Sequence, residues 1–194
     1  MAALVSVTAT STLRLRPPAP SPSGYSGPMR PQYTPLLLAL SQAEVRYLVV
    51  GGVAVVLHGV LRFTADLDLV IQLEPGNLTR ALDVLTSRGL RPVIPVPAGQ
   101  FADPAIRADW TERRNMLVFT LWDPDRPAVR VDIFVREPWD FDSAFSRRTD
   151  VVVEGVPIPL VPITELIAMK HRANRPKDLE DIRALTLLLG RETP

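Results

Sequence analysis

Cysteine is absent from the 194 residues, which excludes disulfides, thiolate metal sites and cysteine nucleophiles. Histidine is nearly absent. With only His58 and His171, a tris-histidine zinc site cannot be assembled, and any metal must be held mostly by oxygen. No apolar run approaches the roughly 18 residues needed to cross a bilayer. The opening MAALVSVTATSTLRLR has no basic start and no continuous apolar stretch, so it does not read as a secretory signal. These absences lead to the expectation of a soluble cytoplasmic protein with no membrane partner. An excess of either charge is missing too. Against 21 acidic residues stand 22 basic ones, which excludes a strongly basic nucleic-acid coat or an acidic tail as the whole account. Lysine is the last scarcity: among the 22 basic residues only Lys170 and Lys177 are lysines.

What remains is an ordinary globular balance, 46% hydrophobic and 22% charged, with enough apolar material for one core. Its distribution is uneven. Prolines crowd the first 35 residues, no acid precedes Glu44, and the only charges there are Arg14, Arg16 and Arg30. A Pro/Ser-rich stretch with so few large apolar residues cannot offset its ordering entropy. The expected division is therefore a disordered tail over 1–33 and one folded domain over 34–194.

Thr34-Pro35 reads as the cap and first turn of a helix ahead of LLLALSQAEV. Arg46–Val50 is a short strand that stops at Gly51-Gly52, and residues 53–58 form a short helix. Alternation from Phe63 to Leu69 predicts a strand. Helices are expected over Leu78–Arg88, from Asp103-Pro104, from Thr164 to Ala173 and over Asp178–Leu189. MLVFTLW and AVRVDIFV flank the turn-rich segment 123–127 as paired strands, and Gly155 sits between two strands of a second hairpin. The mixture predicts an α+β fold with a small mixed sheet flanked by helices.

Asp66 and Asp68 carry the chemistry. At i and i+2 of a strand both carboxylates leave one face, roughly 6.5–7 Å apart along the backbone, while Leu67 and Leu69 enter the core. Such a pair can grip divalent cations, although an isolated Asp-x-Asp also occurs as a solvent-facing strand pattern. Asp132 interrupts a second apolar strand, VRVDIFV, where an unpaired carboxylate is costly to bury. Gly51-Gly52 joins a strand to a helix, either as a tight turn that needs small residues or as backbone N–H groups suited to phosphate oxygens.

The ordered set Gly51-Gly52-x-Ala54, His58-Gly59, Arg62-x-Thr64-x-Asp66-x-Asp68 resembles the opening motif of minimal nucleotidyltransferases. These belong to the DNA polymerase beta-like superfamily, and the closest-looking branch includes the abortive-infection toxins. The resemblance spans about residues 35–190. It implies that Asp66 and Asp68 ligate catalytic metals, Mg²⁺ or Mn²⁺, with Asp132 as the third carboxylate. It also implies that Gly51 and Gly52 face the nucleotide phosphates. One departure stands out: many relatives carry Gly-Ser where this chain has Gly51-Gly52, so a hydroxyl is missing. Arg62 and Thr64 precede the acids on the same face and are candidates to orient the acids or the triphosphate.

Lys170 follows Leu166 and Ile167 on one helix face, so it requires an anion: a nucleotide phosphate, which the resemblance supports, or an acid at the core edge. Lys177 and Asp181 are spaced as a surface pair. His58 suits a structural hydrogen bond, and Trp110, Arg113 and Arg114 are candidate contacts to a nucleic-acid acceptor. The combined expectation is a metal-dependent nucleotidyltransferase that moves a nucleoside monophosphate from an NTP to a hydroxyl on RNA, protein or a small molecule. A cognate partner protein fits the short chain. The alternative is a non-catalytic nucleotide-binding or toxin–antitoxin component.

Overall fold

The computed structural model describes residues 32–192. Its elements are α1 (Thr34–Gln42), β1 (Tyr47–Val50), α2 (Gly51–Leu57), β2 (Leu67–Ile71), α3 (Pro75–Ser87), β3 (Arg91–Pro92), α4 (Pro104–Arg114), β4 (Val118–Trp122), β5 (Arg130–Phe134), α5 (Phe141–Ser146), β6 (Thr149–Val153), β7 (Val156–Leu160), α6 (Ile163–Ala173) and α7 (Pro176–Glu192). The strands form one mixed sheet in the order β3-β4-β5-β2-β1-β7-β6, flanked by helices as expected for the α+β class. β2 runs parallel to β5 and antiparallel to β1. The two expected hairpins are β4–β5 and β6–β7. The latter turns through Glu154 and Gly155, both at positive φ, the signature of a two-residue primed turn.

Register decides which side chains meet. One row across the sheet is Phe119–Ile133–Leu69–Val49, buried throughout. The adjacent row, on the opposite face by the period-2 alternation of strands, is Thr120–Asp132–Asp68–Val50. Behind the apolar row, Phe119 stacks on Phe101 at 4.7 Å and on Trp110 at 5.4 Å. Trp110 therefore belongs to the core, on the far side of the sheet from Asp132. The expectation that it meets an acceptor is overturned, because burying the indole against two aromatic rings outweighs exposing it.

Local signals account for most element ends. Asp103 caps α4 by accepting from the Ala105 and Ile106 amides, and Asn115 ends it in the left-handed conformation. Glu74 caps α3 from the Gly76 and Asn77 amides. Several boundaries differ from expectation. Thr34 is the first helical residue of α1 rather than its cap, and the Tyr33 side chain makes no cap bond. α2 and α3 start at Gly51 and Pro75 rather than at 53 and Leu78. β2 begins at Leu67 rather than Phe63, since 60–66 joins no ladder. Thr164 lies inside the first turn of α6, where its hydroxyl bonds the Glu165 carboxylate. α7 runs through Gly190 to Glu192, because a single exposed helical glycine costs only about 1 kcal/mol.

Residues 1–31 of the expected tail lie outside the described residues. Its last residue, Tyr33, does not behave as tail: the ring is fully buried in the core and its hydroxyl donates to the Ala65 carbonyl at 2.5 Å. Tyr33 thereby ties the start of α1 to the peptide preceding Asp66. Tyr33→Ala should cost about 3 kcal/mol, as large-to-small aromatic core changes do, whereas Tyr33→Phe should cost about 1 kcal/mol for one lost hydrogen bond. Chemical denaturation reads both values, and native stability in Tyr33→Ala would place the ring outside the folding unit.

Candidate active site

Asp68 and Asp132 are paired residue to residue on the parallel strands β2 and β5. Neighbouring strands lie about 4.8 Å apart, so two carboxylates rise side by side from the same face. Asp66 enters from the same side, one residue before β2. The alternation that predicted a strand survives in the irregular segment ahead of it: Leu61, Phe63 and Ala65 are exposed, while Arg62, Thr64, Asp66 and Asp68 are half-buried together. The three acids and the two residues ahead of them thus converge as the spacing implied.

β1 ends at the opposite edge of this row. Gly51 has φ +64°, and a Cβ there would lie 2.0 Å from Asp68 Oδ2, so both its backbone and its surroundings demand glycine. The Asp68 carboxyl also accepts from the Gly52 amide. Burial, then the charge of Asp132 and of Asp66, push Asp68 up to about 6, against the lowering effects of the Gly52 amide and Lys170. Thr120, opposite Asp132 on β4, donates its hydroxyl to Asp132 Oδ1 at 2.6 Å. That bond commits one carboxylate oxygen and leaves Oδ2 for other work.

The donor set is hard oxygen only, which suits Mg²⁺ or Mn²⁺. Among the described residues no three His, Asp or Glu side chains close into a ready metal cage. Mg²⁺ commonly takes one or two protein carboxylates and completes its shell from phosphates and water.

Opposite the acids, Lys170 of α6 and Arg175 between α6 and α7 supply charge of the other sign, paired with two acids of α7. Lys170 is 4% exposed, and its ammonium meets Asp181 Oδ2 at 2.6 Å and Asp178 Oδ1 at 3.3 Å. Asp181 also accepts from Arg62, and Asp178 from Arg175 Nε at 2.8 Å. Burial opposes ionisation of Asp178, but bonds from the Arg175 side chain and amide and the charge of Lys170 outweigh it and hold the carboxyl at about 2. The requirement for an anion at Lys170 is met by two acids of α7. The expected Lys177–Asp181 pair does not form: Asp181 turns inward to Lys170 and Arg62, and Lys177 stays exposed. His58 makes its structural bond, Nε2 to the Val161 carbonyl at 2.9 Å. Arg113 and Arg114 lie on the exposed face of α4 beside Asp109.

Several contributors escaped the sequence reading. Thr120 could have been found by continuing the β4–β5 hairpin register, which sets 120 against 132. Asp178 and Asp181, three apart on a helix, share the face toward Lys170. Arg175 has no such signal, yet its guanidinium stands near enough to Asp68 to feel its charge.

The profile of the nucleotidyl transferase AbiEii toxin family, from type IV toxin–antitoxin systems, matches residues 36–186. The chain belongs to this family. Among curated proteins none matches the chain. Similar folds occur in the lincosamide antibiotic adenylyltransferase LnuA, solved with lincomycin bound, at TM-score 0.57 and 14% identity over 84% of this chain and 99% of that one. ANT(2'')-Ia, solved in complex with adenylyl-2''-tobramycin, aligns at TM-score 0.52 and 17% identity over 81% of this chain and 87% of that one. At these identities the likeness is one of fold, and it agrees with the family assignment. As a nucleotidyltransferase of the AbiEii family, the chain carries the three acids and the glycine turn within the matched region.

Proposed function

We propose that the protein transfers a nucleoside monophosphate from an NTP to an acceptor hydroxyl, with Asp66, Asp68 and Asp132 as the catalytic carboxylates. The in-register pairing of Asp68 with Asp132 carries this reading. The acceptor oxygen attacks the α-phosphorus, the new P–O bond forms as the bond to the bridging oxygen breaks, and pyrophosphate leaves. Asp132 Oδ2 takes the acceptor proton, since Thr120 already occupies Oδ1. Asp66, Asp68 and Asp132 would hold a divalent cation, which would supply Lewis-acid neutralisation of the phosphates. Gly51 and Gly52 let the phosphate chain approach β1 closely, and Arg62 and Thr64 form its electropositive and hydroxyl side, while Lys170, already paired with Asp178 and Asp181, holds Asp181 against Arg62. Arg62 acts from a position that Asp181 fixes, which favours preorganised charge stabilisation.

The family description supports a cognate partner protein and a role in a toxin–antitoxin pair. RNA, protein and small molecules remain the acceptor classes, and an NTP substrate is consistent with a cytoplasmic reaction. Among the described residues no helix is long and apolar enough to cross a membrane.

Incubating the protein with each α-labelled NTP, Mg²⁺ or Mn²⁺, and total cellular RNA or protein should release pyrophosphate and label one acceptor class. A chelator should stop both. Metal-independent NTP binding with no pyrophosphate released would instead support a binding component.

A further inference from the structure

Residue 52 has no side chain, yet the space beside it is filled. A Cβ built on Gly52 would lie 2.3 Å from Thr64 Oγ1 and 2.9 Å from Thr64 Cβ, well inside contact distance. A terminal Arg62 nitrogen would lie at an ordinary 3.5 Å. The Thr64 hydroxyl therefore stands where a side chain at residue 52 would begin. Unlike Gly51, Gly52 is outside the left-handed region, so its backbone tolerates any residue. Only Thr64 stands in the way.

That hydroxyl is half-buried and makes no hydrogen bond with any described residue. A hydroxyl carries one donor and two acceptor sites, which a bound partner can take up in place of water. Its neighbours on the same face define the partner. Arg62 lies two residues before it and Asp66 two residues after, so the hydroxyl sits between a fixed guanidinium and the acid cluster. A phosphate oxygen satisfies both flanks: it is anionic toward Arg62 and accepts from the hydroxyl.

We infer that Thr64 and Gly52 form one exchangeable unit, in which the Thr64 hydroxyl delivers to a triphosphate oxygen the contact that a hydroxyl-bearing residue 52 would otherwise supply. The Gly51-Gly52 turn consequently lacks no contact; the hydroxyl has moved to the facing segment. This inference rests on the nucleotidyl-transfer reading and names the residue at which the phosphate is held. It also makes the two positions mutually exclusive, since one volume cannot hold both side chains.

The test uses the full chain, Mn²⁺, and an NTP whose α,β-bridge is methylene, with calorimetric Kd and nucleotide-free melting temperature as readouts. Thr64→Val keeps the volume and removes the hydroxyl. It should melt with the native protein and bind the analogue about tenfold more weakly. Gly52→Ser should melt lower and bind poorly, because serine collides with Thr64. The exchange Gly52→Ser/Thr64→Gly should recover melting above the single Gly52→Ser variant and bring Kd back to within about threefold of native. Native affinity in Thr64→Val, or an exchange variant no better than Gly52→Ser, would overturn the inference while leaving nucleotidyl transfer intact. A native chain that binds no triphosphate overturns both.

Discussion

Asp68→Asn should transfer no nucleotide and yet melt above the native chain at pH 7.5. The loss follows from its place at the centre of the acidic row, paired with Asp132 and beside Asp66. The gain follows from linkage. Asp68 titrates at about 6 in the folded protein against 3.8 for the free side chain, so the folded state binds this proton more tightly than the unfolded state. Stability from that proton is complete below about pH 4 and is lost as pH rises through 6. At neutral pH the ionised carboxylate therefore opposes folding by an amount on the order of 3 kcal/mol, which the neutral amide does not incur. Melting curves without metal should show the Asn variant ahead at pH 7.5 and level with native near pH 4. Asp66→Asn and Asp132→Asn should also abolish transfer. A variant of Asp68 that melts lower at pH 7.5, or that stays active, would make this carboxylate structural.

Removing Lys170 should cost stability as well as activity. The ammonium is buried between Asp178 and Asp181, and taking one partner from a buried pair leaves an uncompensated charge worth about 3–5 kcal/mol. Arg175 and Arg62 remain on the two acids and should bring the loss in Lys170→Met toward the lower end of that range. Lys170→Arg should not rescue, because a planar fork cannot occupy a site shaped around a single nitrogen. Lys177→Ala, on an exposed side chain, should stay within about 0.5 kcal/mol of native. Urea titrations of the three variants decide the matter. Equal stability in Lys170→Met and Lys177→Ala would mean that the buried network is not formed in solution.

The same network separates what a linear reading reaches from what it misses. The helix face shared by Leu166 and Lys170 shows that the lysine points inward and requires an anion. It does not reveal whether that anion is a ligand or α7. The answer depends on how α7 packs on α6, which brings Asp181 eleven residues away to within 2.6 Å. Spacing alone paired Asp181 with Lys177, one helical turn away, because i,i+4 proximity is all a single helix exposes.

By itself the sequence determined the mixed α+β class and both hairpins, together with the excluded chemistries of cysteine and clustered histidine, and it singled out Asp66, Asp68 and Asp132 as candidates. These follow from local rules: strand alternation, turn residues and the cost of a lone carboxylate in an apolar run. Tertiary structure decided the rest. It set Asp132 beside Asp68 rather than one residue out of step, put Trp110 behind the sheet, and drew Tyr33 into the core. It also revealed that Thr64 fills the side-chain space of Gly52. The physical reason is common to all four. Each depends on which surfaces meet across sequence separations of 9 to 64 residues, and close packing of a shared core settles that only when the whole chain folds.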